Sequence, residues 1–514
     1  MKRLLSILLC AVIMLSCFPS FAKSADTERC AEYLIGTVKS PTVASVGGEW
    51  TVIGLARSDA SVPKSYFDTY YANVTSVVKN KKGVLHARND TEYSRVVIAF
   101  TAIGRNPENV SGYNLVKPLC DYSKVTQQGI NGALWALIAL DCGDYGNAET
   151  RNKYVDYILS REKKNGGWSL SASSAEAEAD ITAMVLTALS RYTYRQDVKN
   201  AADRGILLLS KLQNDDGGFS LSGEKTSEST AQVLVAISSL GIPVSDKRFV
   251  KNGNSLVTAL MKYQKSDGSF FHTSESDLMA TEQCFYALAA KNRLIQNKTA
   301  LFDMSDVLYT GLFGKNTSVK VQSVIYPGKT FGDINGNKYK NEIEKLSSRG
   351  IINGFTDSEF CPERTMTRAE FSTIVVRALG LGKGSKNVFA DVSGNSWYKD
   401  YVSAAYSFGI VNGISESRFN PEGNITVEQA CVMIERAGKL CGLGNTLSQS
   451  EINSLISKYS DGKNISTWAR SGVAYCASKK LLYTSSGALS PKAYIKRGEV
   501  AYMLYNLLKG AKLS

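Results

Sequence analysis

Thr367-Arg368-Ala369-Glu370 is the run in this chain whose residue types define a chemistry most sharply. A planar guanidinium pairs bidentately with a carboxylate and does not lose its proton. The flanking threonine and glutamate also admit a plainer reading, because Ser/Thr-x-x-Glu is the signature of a capped helix start. Related runs follow. Lys496-Arg497-Gly498-Glu499 lies near the C-terminus, and Thr426-Val427-Glu428-Gln429 stands between them with valine in the arginine's place and glutamine in the glutamate's. Metal chemistry has no comparable support. The chain has two histidines, no Cys-x-x-Cys and no Cys/His cluster, so neither zinc nor any other cofactor is expected.

Each of these runs closes a longer module. The first module opens Phe331-Gly332-Asp333, passes Gly350-Ile351-Ile352-Asn353-Gly354, then Phe360-Cys361-Pro362. The second carries Phe389-Ala390-Asp391, Trp397, Gly409-Ile410-Val411-Asn412-Gly413 and Phe419-Asn420-Pro421 in the same slots. The third carries Tyr459-Ser460-Asp461, Trp468, Leu481-Leu482-Tyr483 and Ser490-Pro491. Self-similarity at such a period marks units that bury their apolar faces by stacking on one another. The ordered set resembles the S-layer homology (SLH) family. That resemblance implies a pseudo-threefold bundle of three small, mainly helical repeats, at 331–386, 387–445 and 455–514, tying a surface protein to a secondary cell-wall polymer. It further implies that Arg368 and Arg497 meet a pyruvyl carboxylate on the sugar. Glu370, Glu499, Asp333, Asp391, Trp397 and Trp468 are the other residues the resemblance assigns to the polymer, and Val427 makes the second groove weak or silent.

Residues 30–315 carry a different repeat. Asn165-Gly166-Gly167-Trp168, Asp216-Gly217-Gly218-Phe219 and Asp267-Gly268-Ser269-Phe270 recur every 51 residues. Their glycines suit positive φ and their aspartates suit turn capping. Each turn precedes a run that is apolar almost all round, starting at Thr182, Thr230 and Thr281, as expected of helices buried on every side. Amphipathic stretches at Val198–Gln213 and Arg248–Gln264 suit an outer layer. Three earlier inner helices align near Trp50, Tyr93 and Gly132, which makes six hairpins and an all-α, (α/α)6 toroid, joined to the repeats by a linker at 316–330. The Gln-x-x-Asp-Gly-Gly-Phe turns resemble those of the terpenoid cyclase and protein prenyltransferase toroids, and Ala179-Asp180-Ile181-Thr182-Ala183-Met184 is similar to a helix signature of cobalamin carriers. Such a scaffold hosts both enzymes and carriers, so it cannot name a function by itself.

The cyclase resemblance makes Asp180 the candidate acid, but Ile181 stands where a second aspartate belongs, and helix capping is a sufficient job for Asp180. Tyr93 and Arg95 could serve a polysaccharide lyase, with a surface tyrosine and a salt-bridged arginine as the plainer reading. Trp50, Tyr93, Arg95, Trp135, Gln232 and Gln283 fall at or near helix starts that face one rim, a set better suited to holding a ligand than to acid-base work. His272 reads as a partly buried turn residue.

The formal charge of +13 and pI near 9.1 suit an anionic partner, and no basic run interleaved with aromatics points to nucleic acid. Met1-Lys2-Arg3, the apolar run Leu4–Leu15 and Ser20-Phe21-Ala22 predict a signal peptide over 1–22. No later stretch is long and apolar enough to span a bilayer. Eight cysteines remain after cleavage, enough to permit disulfides without requiring them. The sequence thus predicts a secreted protein of the cell wall or S-layer. It would be held non-covalently on an anionic secondary cell-wall polysaccharide attached to peptidoglycan, and would display a non-catalytic toroid whose small-molecule, glycan or protein ligand is unknown. A surface enzyme of the cyclase or lyase type, or a cobalamin-binding module, is the alternative.

Overall fold

A computed structural model describes residues 25–86, 90–308, 319–320, 322–382, 384, 389–444, 447–483 and 487–513. The predicted signal peptide lies outside the described residues, as do residues 309–318. Two compact units emerge. One contains the chain up to Asn80 together with Leu212–Leu301, and the other Lys81–Lys211 together with Phe302–Ser514.

In the first unit the helices Glu49–Arg57, Ser227–Ser239 and Leu278–Ile295 are buried over most of their surface and pack on one another. Gly54 lets two of them approach closely, since a Cβ there would come within 2.9 Å of the Phe285 ring. Ala25–Thr37, Lys64–Asn80 and Leu256–Met261 are less buried. The predicted outer helix over Arg248–Gln264 is corrected: Val250–Lys251 and Asn254–Ser255 pair as a hairpin, and helix begins only at Leu256. Asn252 and Gly253 carry φ of 48° and 80°, which a right-handed helix does not allow.

The second unit holds the buried helices Thr91–Ala102, Gly129–Cys142 and Ala179–Leu189, with Ala148–Ser160 and Gln196–Leu212 more exposed. One device recurs in both units and ties each turn of the 51-residue repeat to the helix that follows it. The hydroxyl of Thr182, Thr230 or Thr281 accepts the backbone N–H of Trp168, Phe219 or Phe270 at 2.9, 3.0 and 2.9 Å. All three aromatic rings are fully buried. Glycine makes the turn, the aromatic plugs the core and the helix threonine ties the two together.

The C-terminal part of the second unit is three repeats whose long helices are Arg368–Ala378, Val427–Leu440 and Arg497–Gly510. It is also joined to residues 81–211. Asp144 accepts from Arg151 at 3.1 Å, Lys345 at 3.2 Å and Arg349 at 3.0 Å, and Arg151 reaches Asp141 at 2.8 Å. Burial works against the Asp144 charge, but Lys345, Arg349 and Arg151 outweigh it and hold its carboxyl far below the usual carboxylate range.

All eight described cysteines are free thiols, and burial pushes those of Cys142 and Cys441 up to about 12.

Glu282 gives the first unit a pH dependence. Its Oε1 accepts the N–H groups of Gly47 and Thr51, each at 3.1 Å, so it caps a helix whose own N-cap, Gly48, has no side chain to do so. Burial nevertheless raises its pKa from 4.5 to about 7, the bonds from Thr51 and Gly47 opposing the shift. The native state therefore holds an extra proton between these values. The associated stabilisation is present below pH 4.5 and lost as pH rises through 7, to an extent of about 3 kcal/mol. Glu282→Gln should flatten the dependence of melting temperature on pH between 5 and 8; thermal melts that keep the wild-type slope would disprove this account.

Candidate functional site

The three repeats interlock through their helix starts. Arg368 and Ala369 donate their backbone N–H groups to Gly423 and Pro421 of the second repeat, at 2.9 and 3.0 Å. Val427 and Glu428 donate to Ala493 and Pro491 of the third, at 3.0 and 3.1 Å, and Arg497 and Gly498 return to Arg364 and Pro362 of the first, at 2.9 Å each. Amides that a helix leaves unpaired are thus satisfied by a neighbour's loop. Single β-bridges Thr365–Lys496, Thr367–Asn424 and Thr426–Tyr494 reinforce the three seams.

The arginines sit at these seams. Arg368 donates from Nε to Phe419 O at 2.8 Å and from Nη2 to Asn412 O at 3.5 Å, with its guanidinium 4.7 Å from the Phe419 ring centre. Arg497 makes the equivalent contacts, with Phe360 O at 2.9 Å, Asn353 O at 2.7 Å and the Phe360 ring at 4.5 Å. Both are buried, 7% exposed, and among the described residues neither has a carboxylate within ion-pair distance. Burial pulls both pKa values down, but a guanidinium starts high enough to remain charged. At the remaining seam, Val427 leaves a cavity of about 290 Å³, with Tyr483 and Leu489 in its wall.

The other residues singled out in the repeats are placed as follows. Glu370 accepts the N–H of Thr367 at 2.8 Å and Glu499 that of Lys496 at 2.9 Å, so both cap their helices. Asp333 accepts the N–H groups of Phe360 and Cys361 at 2.8 and 2.6 Å, and Asp391 those of Phe419 and Asn420 at 2.8 Å each. Asp461, a motif residue that the sequence reading did not assign to the polymer, does the same for Leu489 and Ser490 at 2.8 and 2.7 Å. Cys361, Asn420 and Ser490 have φ of 56°, 59° and 55°, so each aspartate holds a loop in a left-handed turn. Burial opposes the Asp391 charge, and the N–H groups of Phe419 and Asn420 outweigh it, keeping its carboxyl below the usual range. Trp397 and Trp468 stand out at 61% and 58% exposed.

The rim candidates divide between the two units. In the first, Trp50 packs on Tyr286 at 5.8 Å between ring centres, and Gln232 Nε2 donates to Gln283 Oε1 at 2.8 Å and to the Tyr286 hydroxyl at 2.5 Å. His272 meets Glu228 at 2.7 Å there. In the second, Trp135 packs edge-on against Phe302 at 5.9 Å. Tyr93 and Arg95 are buried, unlike the surface pair the plainer reading expected. The Tyr93 hydroxyl accepts from Leu85 N at 3.0 Å and donates to Gly83 O at 3.3 Å, so it pins its own loop. Asp180 lies inside the first turn of Ala179–Leu189, with Glu178 rather than Asp180 at the N-cap position.

Comparison with known proteins follows this division. Residues 330–372, 388–431 and 458–501 match the S-layer homology domain, and residues 120–225 and 181–308 match the prenyltransferase alpha-alpha toroid domain. The chain carries SLH repeats and a prenyltransferase-type α/α toroid. It is 34% identical over 200 residues to exoglucanase XynX of Acetivibrio thermocellus, covering 38% of this chain and 17% of that protein. It is 36% identical over 126 residues to the middle cell wall protein of Brevibacillus brevis, covering 23% and 12%. The surface layer protein of Brevibacillus choshinensis is 34% identical over 126 residues, covering 23% and 11%. The chain therefore spans less than a fifth of the length of these curated relatives. Among solved structures, ent-copalyl diphosphate synthase from Streptomyces platensis overlaps with a TM-score of 0.33 and 15% identity, over 48% of this chain and 50% of that one, too little to argue from.

The SLH repeats and the likeness to surface-layer proteins indicate a place at the cell surface or cell wall. Among the described residues no helix is long and apolar enough to cross a membrane.

The valine seam yields a test of the interlock. Val427→Arg should fill the 290 Å³ cavity and engage the carbonyls of Leu489 and Tyr483 as the other arginines engage theirs, adding about 1 kcal/mol of stability. Denaturant unfolding should show a later transition; an earlier one would mean this seam has no room for a cation.

Proposed function

We propose that the SLH repeats hold this chain on an anionic, pyruvylated secondary cell-wall polysaccharide, and that Arg368 and Arg497 supply the positive charge that recognises it. The observation that carries this reading is a pair of buried cations whose described partners are carbonyls and aromatic faces, with no ion-paired carboxylate. Carbonyls fix a guanidinium in place without cancelling its charge, so each seam keeps an unspent affinity for an anion. In this reading Asp333, Asp391 and Asp461 shape the loops around the ligand, Glu370 and Glu499 fix the helix starts, and Trp397 and Trp468 offer faces for sugar rings. The domain limits predicted from the sequence belong to the same proposal.

The toroid is read as a binding module without catalysis. Trp50, Tyr286, Gln232 and Gln283 form an aromatic and amide cluster suited to hydrogen-bonding a neutral ligand. The acid of a cyclase would need a partner where Ile181 stands, and the base of a lyase would need the Tyr93 hydroxyl that now serves Leu85 and Gly83. A cobalamin ligand stays within the same class of binding module.

Wall retention tests the anchoring. Arg368→Ala combined with Arg497→Ala should release the protein from purified cell walls, with at least a tenfold loss of bound fraction, while circular dichroism reports unchanged helix content. Full retention of the folded double variant would remove both arginines from the site.

A further inference from the structure

Residues 324–329 form a strap fastened to the toroid part of the second unit. Arg191 donates to Val324 O, the Tyr194 hydroxyl to Pro327 O at 2.8 Å, and Asn152 to Gly328 O at 3.0 Å. Gly328 has φ of 77°, and a Cβ there would stand 2.8 Å from the Asn152 side chain, so the strap lies tight against its support. Tyr194 and Tyr326 meet edge to face at 5.4 Å.

Beside this strap opens a cleft of about 620 Å³, walled by Tyr194 and Tyr326, by Lys329 and by the first repeat's loop from Asn353 to Asp357. Phe355 is 56% exposed and Tyr326 38% exposed. Lys329 donates to Asp357 O at 3.3 Å and lies 5.3 Å from the Phe331 ring, and among the described residues it has no ion pair. Asn353, on the cleft wall, is also the residue whose carbonyl is held by Arg497. The cleft therefore shares Asn353 with one of the two cationic seams, and like them it sets aromatic rings beside a cation that is in no ion pair among the described residues, although Asp357 also lines its wall.

We infer that this cleft is a further saccharide site, built jointly by the toroid and the first repeat, which takes an anionic sugar residue. Exposed aromatic rings stack on the apolar face of a pyranose, the irregular loop offers backbone groups for hydroxyls, and Lys329 supplies the charge for a carboxylate. The source of the sugar, the wall polymer, rests on the function proposed above. Tyr194 comes from outside the repeats, so this site depends on the toroid and is not a property of SLH repeats alone.

The test is calorimetric titration of the mature chain with anionic oligosaccharides released from purified walls, their pyruvyl groups intact. Lys329→Ala combined with Phe355→Ala should bind one fewer oligosaccharide per chain than the wild type, with unchanged melting temperature because both side chains project from the surface loop and strap. The same oligosaccharides stripped of pyruvyl groups should no longer distinguish the variant from the wild type. Unchanged stoichiometry and affinity in the variant would overturn the inference, as would a wild type that binds no fragment. Failure of the anchoring proposal reads out separately, as full wall retention of the variant lacking Arg368 and Arg497.

Discussion

The SLH bundle depends on one constraint: no repeat can complete the first turn of its own long helix. The leading N–H groups at Arg368, Val427 and Arg497 find acceptors only in the loop of the next repeat, and the third returns to the first. Leaving such amides buried and unpaired would cost on the order of 1–3 kcal/mol each, so closing the cycle is worth more than any single seam. The loops that receive them must hold a fixed shape, and the aspartates supply it, each pinning a left-handed residue from 28 or 29 positions upstream. The proposed recognition site is therefore built from the same atoms as the interlock. The carbonyls of Phe360 and Phe419 that take the arginine Nε belong to the loops that Asp333 and Asp391 shape.

Asp144 extends this order beyond the repeats. Three cations on one buried carboxylate leave a net positive cluster, which would repel if the carboxylate were lost, so the residue has little freedom to change. Two of those cations, Lys345 and Arg349, belong to the first repeat, and Arg151 belongs to the toroid. With the strap at 324–329 clipped to Arg191, Tyr194 and Asn152, the first repeat is held against its toroid support by ionic and main-chain contacts together.

Much of this architecture was legible in the sequence. The glycine-aromatic turns repeat every 51 residues, each has a helix threonine 11 or 14 residues after its aromatic, and the threonine-to-turn hydrogen bond is the reason they travel together. The toroid and SLH assignments rest on that kind of signal. The stretch Arg248–Gln264 misled because its polarity suits a helix, while two residues, Asn252 and Gly253, turn the backbone out of one. Asp333 and Asp391 were visible as motif residues, but their task was not, because the amides they bind lie 27 to 29 residues away. Tyr93 and Arg95 were read as exposed because composition does not reveal which polar side chains a helix buries. Tyr194 gave no signal at all, since its role arises only where the strap meets the helix end.

The asymmetry of the three seams bears on how an anionic polymer would be held. Two seams carry a buried guanidinium over a phenylalanine, and the third carries Val427 beside an open cavity. A chain binding at two linked sites gains from the second contact being intramolecular, with an effective concentration set by the spacing of its own charges. In the proposed anchoring, two cations on a closed cycle of repeats would offer the polymer two linked contacts, and the third seam would offer none. The aspartate-pinned loop is nevertheless retained there by Asp461. That loop receives the backbone N–H groups of Val427 and Glu428 through Ala493 and Pro491, so the interlock demands it even where no arginine does. The fold thus keeps all three loops for structural reasons, and charge at each seam varies independently of them.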